Sequence, residues 1–169
     1  GLSVGMIAAI LILLWVQHER SYDKYNKKIK SIYRVTREFV NPDGSTNIHL
    51  ASIAPPFLPL LKNDFSEFAQ VTSFLPDDNT VFRYGEKSFT EKEILWADKN
   101  FFDVFSFHFI SGDPATALSE PNCIVLTQTT ASRYFGNSNP LNQVILYGEK
   151  ERPMKVTGIV GDPPDNSSF

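Results

Sequence analysis

A few groups of residues in this chain have the types and spacings from which chemistry is made. Asp77-Asp78, and Asp162 with Asp165, place carboxylates close together, and such oxygens are calcium ligands. Asp103 and His108 have the makings of an acid–base pair. Ser106 is a hydroxyl without the G-x-S-x-G setting that would activate it. Asn166-Ser167-Ser168 fits the N-glycosylation pattern, which is common by chance. Each group has a plainer reading. Acidic residues beside Pro and Asn are solvated turns, and a histidine in an aromatic segment is a solvent-facing side chain. His18, His49 and His108 are the three histidines, far apart and without metal-ligand spacing, and Cys123 is the single cysteine. No phosphate-binding G-x-x-x-x-G-K-[ST] occurs, and Gly158-Ile159-Val160-Gly161 reads as a strand end rather than a dinucleotide fingerprint. The chain thus nominates no catalytic, cofactor-binding or metal-binding residue, and no cofactor. A binding or mechanical role is expected, not an enzyme.

The elements around these residues are more informative. Residues 1–16, GLSVGMIAAILILLWV, carry no charge, and the chain turns polar at Gln17-His18-Glu19-Arg20. Such a stretch spans about 24 Å as a helix, a little short of a bilayer core of about 30 Å. We read it as a transmembrane helix lacking its first turn, with Trp15 as an interfacial anchor. A signal peptide would need a basic start and a small-residue cleavage site, neither of which is present. A buried core helix is the third reading, although hydrophobicity on all sides is unusual there. The net charge of −3, from 16 basic and 19 acidic residues, comes without a basic block, so no nucleic-acid partner is expected. Fourteen Phe, six Tyr and two Trp are enough to build a core.

Beyond the apolar run no Pro or Gly breaks QHERSYDKYNKKIKSIYRV, and Tyr22, Tyr25, Ile29 and Ile32 recur at helical spacing. The pattern predicts one helix from Gly5 to about Ser31, a stalk continuing the membrane span. This divides the chain into a transmembrane and stalk segment, 1–31, and a soluble segment, 32–169. Strands are expected at Tyr33–Val40 and Thr46–Leu50 around the Asn41-Pro42-Asp43-Gly44 turn. A helix follows from Pro56 to about Asn63, irregular at its start because of Pro59. Phe68–Leu75, Thr80–Tyr84 and Lys87–Ala97 read as strands, the last two joined at Gly85-Glu86. Lys99–Phe105 is a short helix, Ser111–Pro114 a loop and Ile124–Leu126 a buried strand. Thr127 caps a helix, TTASRYF, that Gly136 ends. Val144–Tyr147 and Met154–Val160 are paired strands, and Asp162–Asn166 is a turn. Phe101, Phe102, Phe105, Ile124, Leu126, Tyr134 and Phe135 are expected to be buried together. Strands with short helices between them make an α+β fold. No closing element precedes Phe169, so the soluble segment reads as the first part of a domain.

Several segments, in order, carry a family likeness: GLSVGMIAAILILLWV with ERSYDKYN and IYRV; ADKNFFDVFSFHFISGDPATALSEPNCIVLTQTTASRYFG; and VTGIVGDPPDNSSF. In these the chain resembles the MacB-like periplasmic core region of bacterial ABC transporter permeases, in the FtsX-like group. The resemblance covers essentially the whole chain; Asn26, where a His is frequent, and Pro59 depart from the pattern. It implies a permease subunit of the bacterial inner membrane, with the bulk of the chain periplasmic. It implies a separate or fused ATPase as partner, a homodimer or paired permease, contact with membrane lipid, and room for a periplasmic adaptor or outer-membrane partner. The periplasmic domain would couple ATP-driven motion of the membrane helices to export or release of a substrate, with no catalytic residues in this region. The alternatives are the ectodomain of a membrane-anchored ligand sensor and, less favoured by the motifs, an anchored enzyme. Further spans beyond residue 169 would separate the permease from a single-span receptor.

Overall fold

The computed structural model describes residues 1–167. Helix α1, Leu2–Glu19, is apolar on every side and buries no residue. Its 18 residues pass as a candidate membrane span, with a mean hydropathy of 1.7. At about 27 Å it approaches the thickness of a hydrocarbon core.

α1 stops at Glu19, so the continuous helix to Ser31 is not formed. Ser21 tightens the end of the helix, its N–H and Oγ both donating to the His18 carbonyl, at 2.9 and 2.6 Å. Asp23 then takes φ 57°, a left-handed conformation that no helix interior contains. A single turn of 3-10 helix at Ile29–Ser31 is all that follows before the first strand. The physical reason is tertiary. The polar groups of residues 21–28 have partners elsewhere in the domain, and these outweigh a helix propensity of tenths of a kcal/mol per residue. The Tyr22/Tyr25/Ile29/Ile32 stripe therefore does not form one helical face, and Tyr22 and Ile29 are exposed.

The domain is α+β. Its main sheet has six strands in the order β5-β4-β9-β10-β7, with β8 also on β10. The strands are β4 Thr80–Tyr84, β5 Lys87–Glu91, β7 Phe109–Gly112, β8 Cys123–Thr127, β9 Val144–Tyr147 and β10 Arg152–Val160. β10 is the axis of the sheet. Lys155 pairs with Val144 of β9 and Cys123 of β8, and Gly158 pairs with Gly112 of β7 and Val125 of β8. β8 thus runs parallel along one edge of β10, while β9 and then β7 run antiparallel along the other. β10 alternates buried and exposed through Met154-Lys155-Val156, then is buried continuously from Gly158 to Val160, where strands flank it on both sides.

β7 takes in Ser111 and Gly112 of the expected Ser111–Pro114 loop. Its one ladder is with β10, more than forty residues on, and only Gly suits Gly112: φ is +89°, and a Cβ would lie 2.4 Å from the Thr157 carbonyl oxygen. Gly158 opposite leaves the space that the Phe109 ring fills.

Helix α4, Gln128–Phe135, covers the sheet. Thr127 Oγ1 accepts from Thr130 N–H, and Gly136, at φ 61°, ends the helix, as expected from sequence. Ala131, Tyr134 and Phe135 meet Phe82, Leu126, Ile145, Met154, Val156 and Ile159 in the core. Ile145 and Val156 are 0% exposed.

A second ribbon pairs β3, Phe74–Asp77, with β6, Ile94–Ala97. The expected strand Lys87–Ala97 is therefore two: at Lys92-Glu93 the chain leaves β4 for β3. The expected strand from Phe68 begins only at Phe74; before it, Val71, Thr72 and Ser73 are held by the side chains of Asp98 and Asn100, with one backbone bond from Asp98 N–H to the Ser73 carbonyl. Asp98 accepts from Thr72 Oγ1 at 2.7 Å and Ser73 N–H at 2.9 Å, and Asn100 Nδ2 donates to the Val71 carbonyl. Helix α3, Phe101–Val104, joins the ribbon to the sheet through aromatic contacts. Phe101 lies 5.9 Å from Phe74, 4.9 Å from Phe105 and 5.7 Å from Phe107, and Phe102 lies 4.8 Å from Phe109. The predicted apolar set is thus split between two clusters. Phe101, Leu126, Tyr134 and Phe135 are buried, and Phe102, Phe105 and Ile124 are half-buried.

The hairpin of β1, Arg37–Val40, and β2, Thr46–Leu50, forms as read, although its first strand starts four residues later than Tyr33. Helix α2, Phe57–Asp64, also forms, with Pro59 in its first turn.

Candidate functional site

The groups first singled out for chemistry do not converge. Among the described residues no three His, Cys, Asp or Glu side chains come close enough to hold a metal ion. Asp103 offers its backbone carbonyl to Lys28 Nζ at 2.5 Å and its N–H to the Asn100 carbonyl at 3.0 Å, and the His108 carbonyl accepts from Gly161 N–H. Cys123 is a half-buried free thiol on β8. His18 packs edge-on against Tyr22, and His49 meets Thr36 Oγ1 at 3.1 Å. Of the glycosylation triplet, Asn166 and Ser167 are engaged within the fold, and Ser168 lies outside the described residues.

What the fold does bring together is the segment after α1 and the segment after β10. Asn166 Nδ2 donates to the Ser21 carbonyl at 3.1 Å and to Ser21 Oγ at 2.8 Å, across 145 residues of sequence. Asp23 N–H donates to the Asn166 carbonyl at 2.9 Å. The hydroxyls of Tyr25 and Ser167 share a hydrogen bond of 2.9 Å. Burial raises the Tyr25 phenol above its usual range, against the opposing effect of that bond, so its hydroxyl stays protonated.

On the other flank Asn26 is 2% exposed, the one polar residue buried to this degree among those described. Its Oδ1 accepts from Ser106 N–H at 2.6 Å, while Lys27 N–H reaches Ser106 Oγ at 3.3 Å. Tyr25 meets the Phe107 ring edge-on at 6.4 Å. A buried amide is tolerated only when paired, and here it ties residues 21–28 to the loop between α3 and β7.

A third tie lies just past β10. Asp162 accepts from Thr129 N–H at 3.2 Å and from Thr129 Oγ1 at 2.8 Å, in the first turn of α4. Partial burial would raise the Asp162 pKa, but the bonds from Thr129 outweigh it and hold the carboxyl below the usual range. The outgoing segment is thus pinned to the sheet's covering helix at Asp162 and to the base of α1 at Asn166. Arriving and departing chain meet in one hydrogen-bonded clamp beside the end of the candidate membrane helix.

Sequence reasoning missed these roles. Asn26 stood out only as a departure from a family pattern, and Asn166 only as part of a glycosylation triplet. The polar run SYDKYN, followed by PDNS at the far end, was the one available signal.

The chain belongs to the MacB-like periplasmic core domain family, whose model matches residues 1–169. It is a MacB-like periplasmic domain of the ABC-type permease group, as its resemblance implied. Three solved structures are similar to it. A domain of a protein assigned as a permease, from Porphyromonas gingivalis, matches with a TM-score of 0.64 at 17% identity, covering 79% of this chain and 57% of its own. The extracellular domain of the ABC-type transporter YknZ from Gram-positive bacteria matches with a TM-score of 0.56 at 18% identity, covering 75% and 66%. The periplasmic region of MacB from Actinobacillus actinomycetemcomitans matches with a TM-score of 0.46 at 24% identity, covering 59% and 48%. For the first two the likeness is one of fold, and the chain spans about half to two thirds of the length of each of the three. No curated protein matches the chain.

Proposed function

We propose that this chain is the first part of the periplasmic region of an ABC-type permease subunit in the bacterial inner membrane. Its domain couples ATP-driven motion of the membrane helices to export or release of a substrate. The chain carries no catalysis itself; a separate or fused ATPase supplies the energy. A homodimer or paired permease, membrane lipid around α1, and a periplasmic adaptor or outer-membrane partner complete the assembly.

The observation that carries this reading is the clamp. A continuous helical rod is ruled out by the turn at Arg20–Tyr25, so displacement of α1 cannot reach the domain by simple pushing. Instead, Ser21, Asp23 and Tyr25 are bonded directly to Asn166 and Ser167. A shift at the end of α1 is therefore felt at once by the segment leaving β10, and through Asn26 by the loop after α3. Several short bonds around one point make a joint that transmits displacement without a long lever. Family membership supports the transporter setting, and the apolar helix supports the membrane attachment.

The test is a full-length permease carrying Asn166→Ala with Tyr25→Phe, assayed for export and for ATP hydrolysis in the same membranes. Export should fall several-fold while hydrolysis continues, with the amount of protein and its protease resistance unchanged. Normal export from a folded variant would refute coupling through the clamp and favour a ligand-binding ectodomain.

A further inference from the structure

A cleft of about 660 Å³ opens between the β3–β6 ribbon and the main sheet. That volume is within the range of small-molecule sites, about 300–1,000 Å³. Phe107 and Pro163 border it on the side of the clamp, but none of the clamp's hydrogen-bonding groups lines it.

Its walls combine aromatic rings with a fixed carboxylate. Trp96 stands at right angles to Tyr147, with centroids 5.0 Å apart, and Phe82 also packs edge-on with Tyr147 at 5.2 Å. Both polar edges of this group point at one oxygen. Asp77 Oδ2 accepts from Trp96 Nε1 at 2.9 Å and from Tyr147 Oη at 2.6 Å, while Oδ1 meets Thr80 Oγ1 at 3.4 Å. The bonds from Tyr147 and Trp96 hold the Asp77 carboxyl below its usual range, so it is an anion at neutral pH. Asp78 and Glu93 also line the cleft, against Lys92 alone, and the charge of Glu91 is matched by Arg133 at 2.7 Å. The cleft is therefore apolar in its floor and negative at its rim.

A carboxylate fixed by the indole N–H and phenol O–H attracts a cation, and the aromatic and aliphatic walls around it take an apolar body. Held in this way, the carboxylate presents a full charge without a reorganisation cost. An inorganic cation would leave the aromatic walls unused, and a neutral apolar molecule would leave the carboxylate unmatched.

We propose that this cleft is a binding site for an organic ammonium with an apolar body. The cation sits at Asp77 beside Trp96 and Tyr147, and the apolar part lies along Phe82 toward the sheet. This proposal stands independently of the coupling reading.

The chain has two tryptophans, Trp15 in the apolar helix and Trp96 in the cleft, so a Trp15→Phe variant reports on the cleft alone. In zwitterionic nanodiscs, benzyltrimethylammonium should change Trp96 fluorescence saturably, with a Kd below about 1 mM. Benzyl alcohol, which keeps the ring and lacks the charge, should bind at least about tenfold more weakly. Asp77→Asn keeps an oxygen for Trp96 and Tyr147 and should weaken the ammonium about tenfold while leaving benzyl alcohol unchanged. Absence of saturation, or equal affinity for the two probes on the unsubstituted cleft, would overturn the proposal. So would undiminished ammonium binding by a folded Asp77→Asn variant.

Discussion

Asn26→Ala is the sharpest test of the clamp as a structural joint. The Asn26 side chain is 2% exposed and accepts the Ser106 N–H at 2.6 Å. Removing it loses a hydrogen bond with a net contribution of about 0.5–1.5 kcal/mol. It also leaves a backbone donor in a part-buried site, where an unsatisfied group costs about 1–3 kcal/mol. Water reaching the vacated space offsets some of this, so we expect a loss of about 2–3 kcal/mol. For a chain of this length that is about 4–12 °C in melting temperature. The more direct readout is hydrogen exchange. The Ser106 amide should exchange about 30- to 150-fold faster, the ratio equivalent to 2–3 kcal/mol. The Asp23 amide, which donates to the Asn166 carbonyl on the opposite flank, should keep its protection if the two ties are independent and lose it if the clamp opens as a unit. Lys27→Ala, next to Asn26 with an exposed side chain, is the control and should change stability by less than about 0.5 kcal/mol. An Asn26→Ala variant within about 0.5 kcal/mol of the parent, with an unchanged Ser106 exchange rate, would refute the reasoning.

Three further outcomes are expected. Gly112→Ala should destabilise by about 2–3 kcal/mol or more, since it combines a φ of +89° with a Cβ 2.4 Å from the Thr157 oxygen; an unchanged thermal midpoint would mean that the β7–β10 pairing is not as described. Phe101→Ala should cost about 3–5 kcal/mol because Phe101 is 3% exposed at the centre of the aromatic cluster, whereas the half-buried Phe102 should cost less; equal losses in denaturant unfolding would contradict this order. The Asp162 carboxyl is depressed in the folded state, so the unfolded chain takes up its proton first as pH falls. Its stabilisation is complete above the ordinary carboxylate pKa and disappears as pH drops through the lower folded value. Asp162→Asn should flatten the acid limb of the stability curve while costing about 0.5–1 kcal/mol at neutral pH, discounted for exposure; an acid limb identical to the parent's would count against the Thr129 tie.

Local chemistry made much of this protein legible. The apolar run needs no partner to be recognised, because sixteen consecutive residues without a charge stand out in the sequence alone. Thr127 and Gly136 mark the bounds of α4 by capping rules that act within one turn, and β9 with β10 follows from alternation around a Gly turn. The family likeness was legible for a similar reason, since its motifs are continuous stretches.

Tertiary structure decided what depends on distant partners. QHERSYDKYNKKIKSIY has the composition and spacing of a helix, yet bonds from Asn166 and Ser106, 145 and 80 residues away, hold it in turns. Lys87–Ala97 reads as one strand because a change of partner leaves no trace in a short β-rich run. β7 was hidden because its close approach to β10 requires a glycine, and glycine in sequence reads first as a loop. Asp77 and Asp78 read as a solvated acidic pair, and only the fold sets Asp77 against the indole of Trp96 and the phenol of Tyr147, 19 and 70 residues further on. Propensity and capping act over a few residues and are written in order along the chain. The clamp and the cleft are made by packing between segments far apart in sequence, and which polar group finds which partner is settled only when the sheet has brought them together.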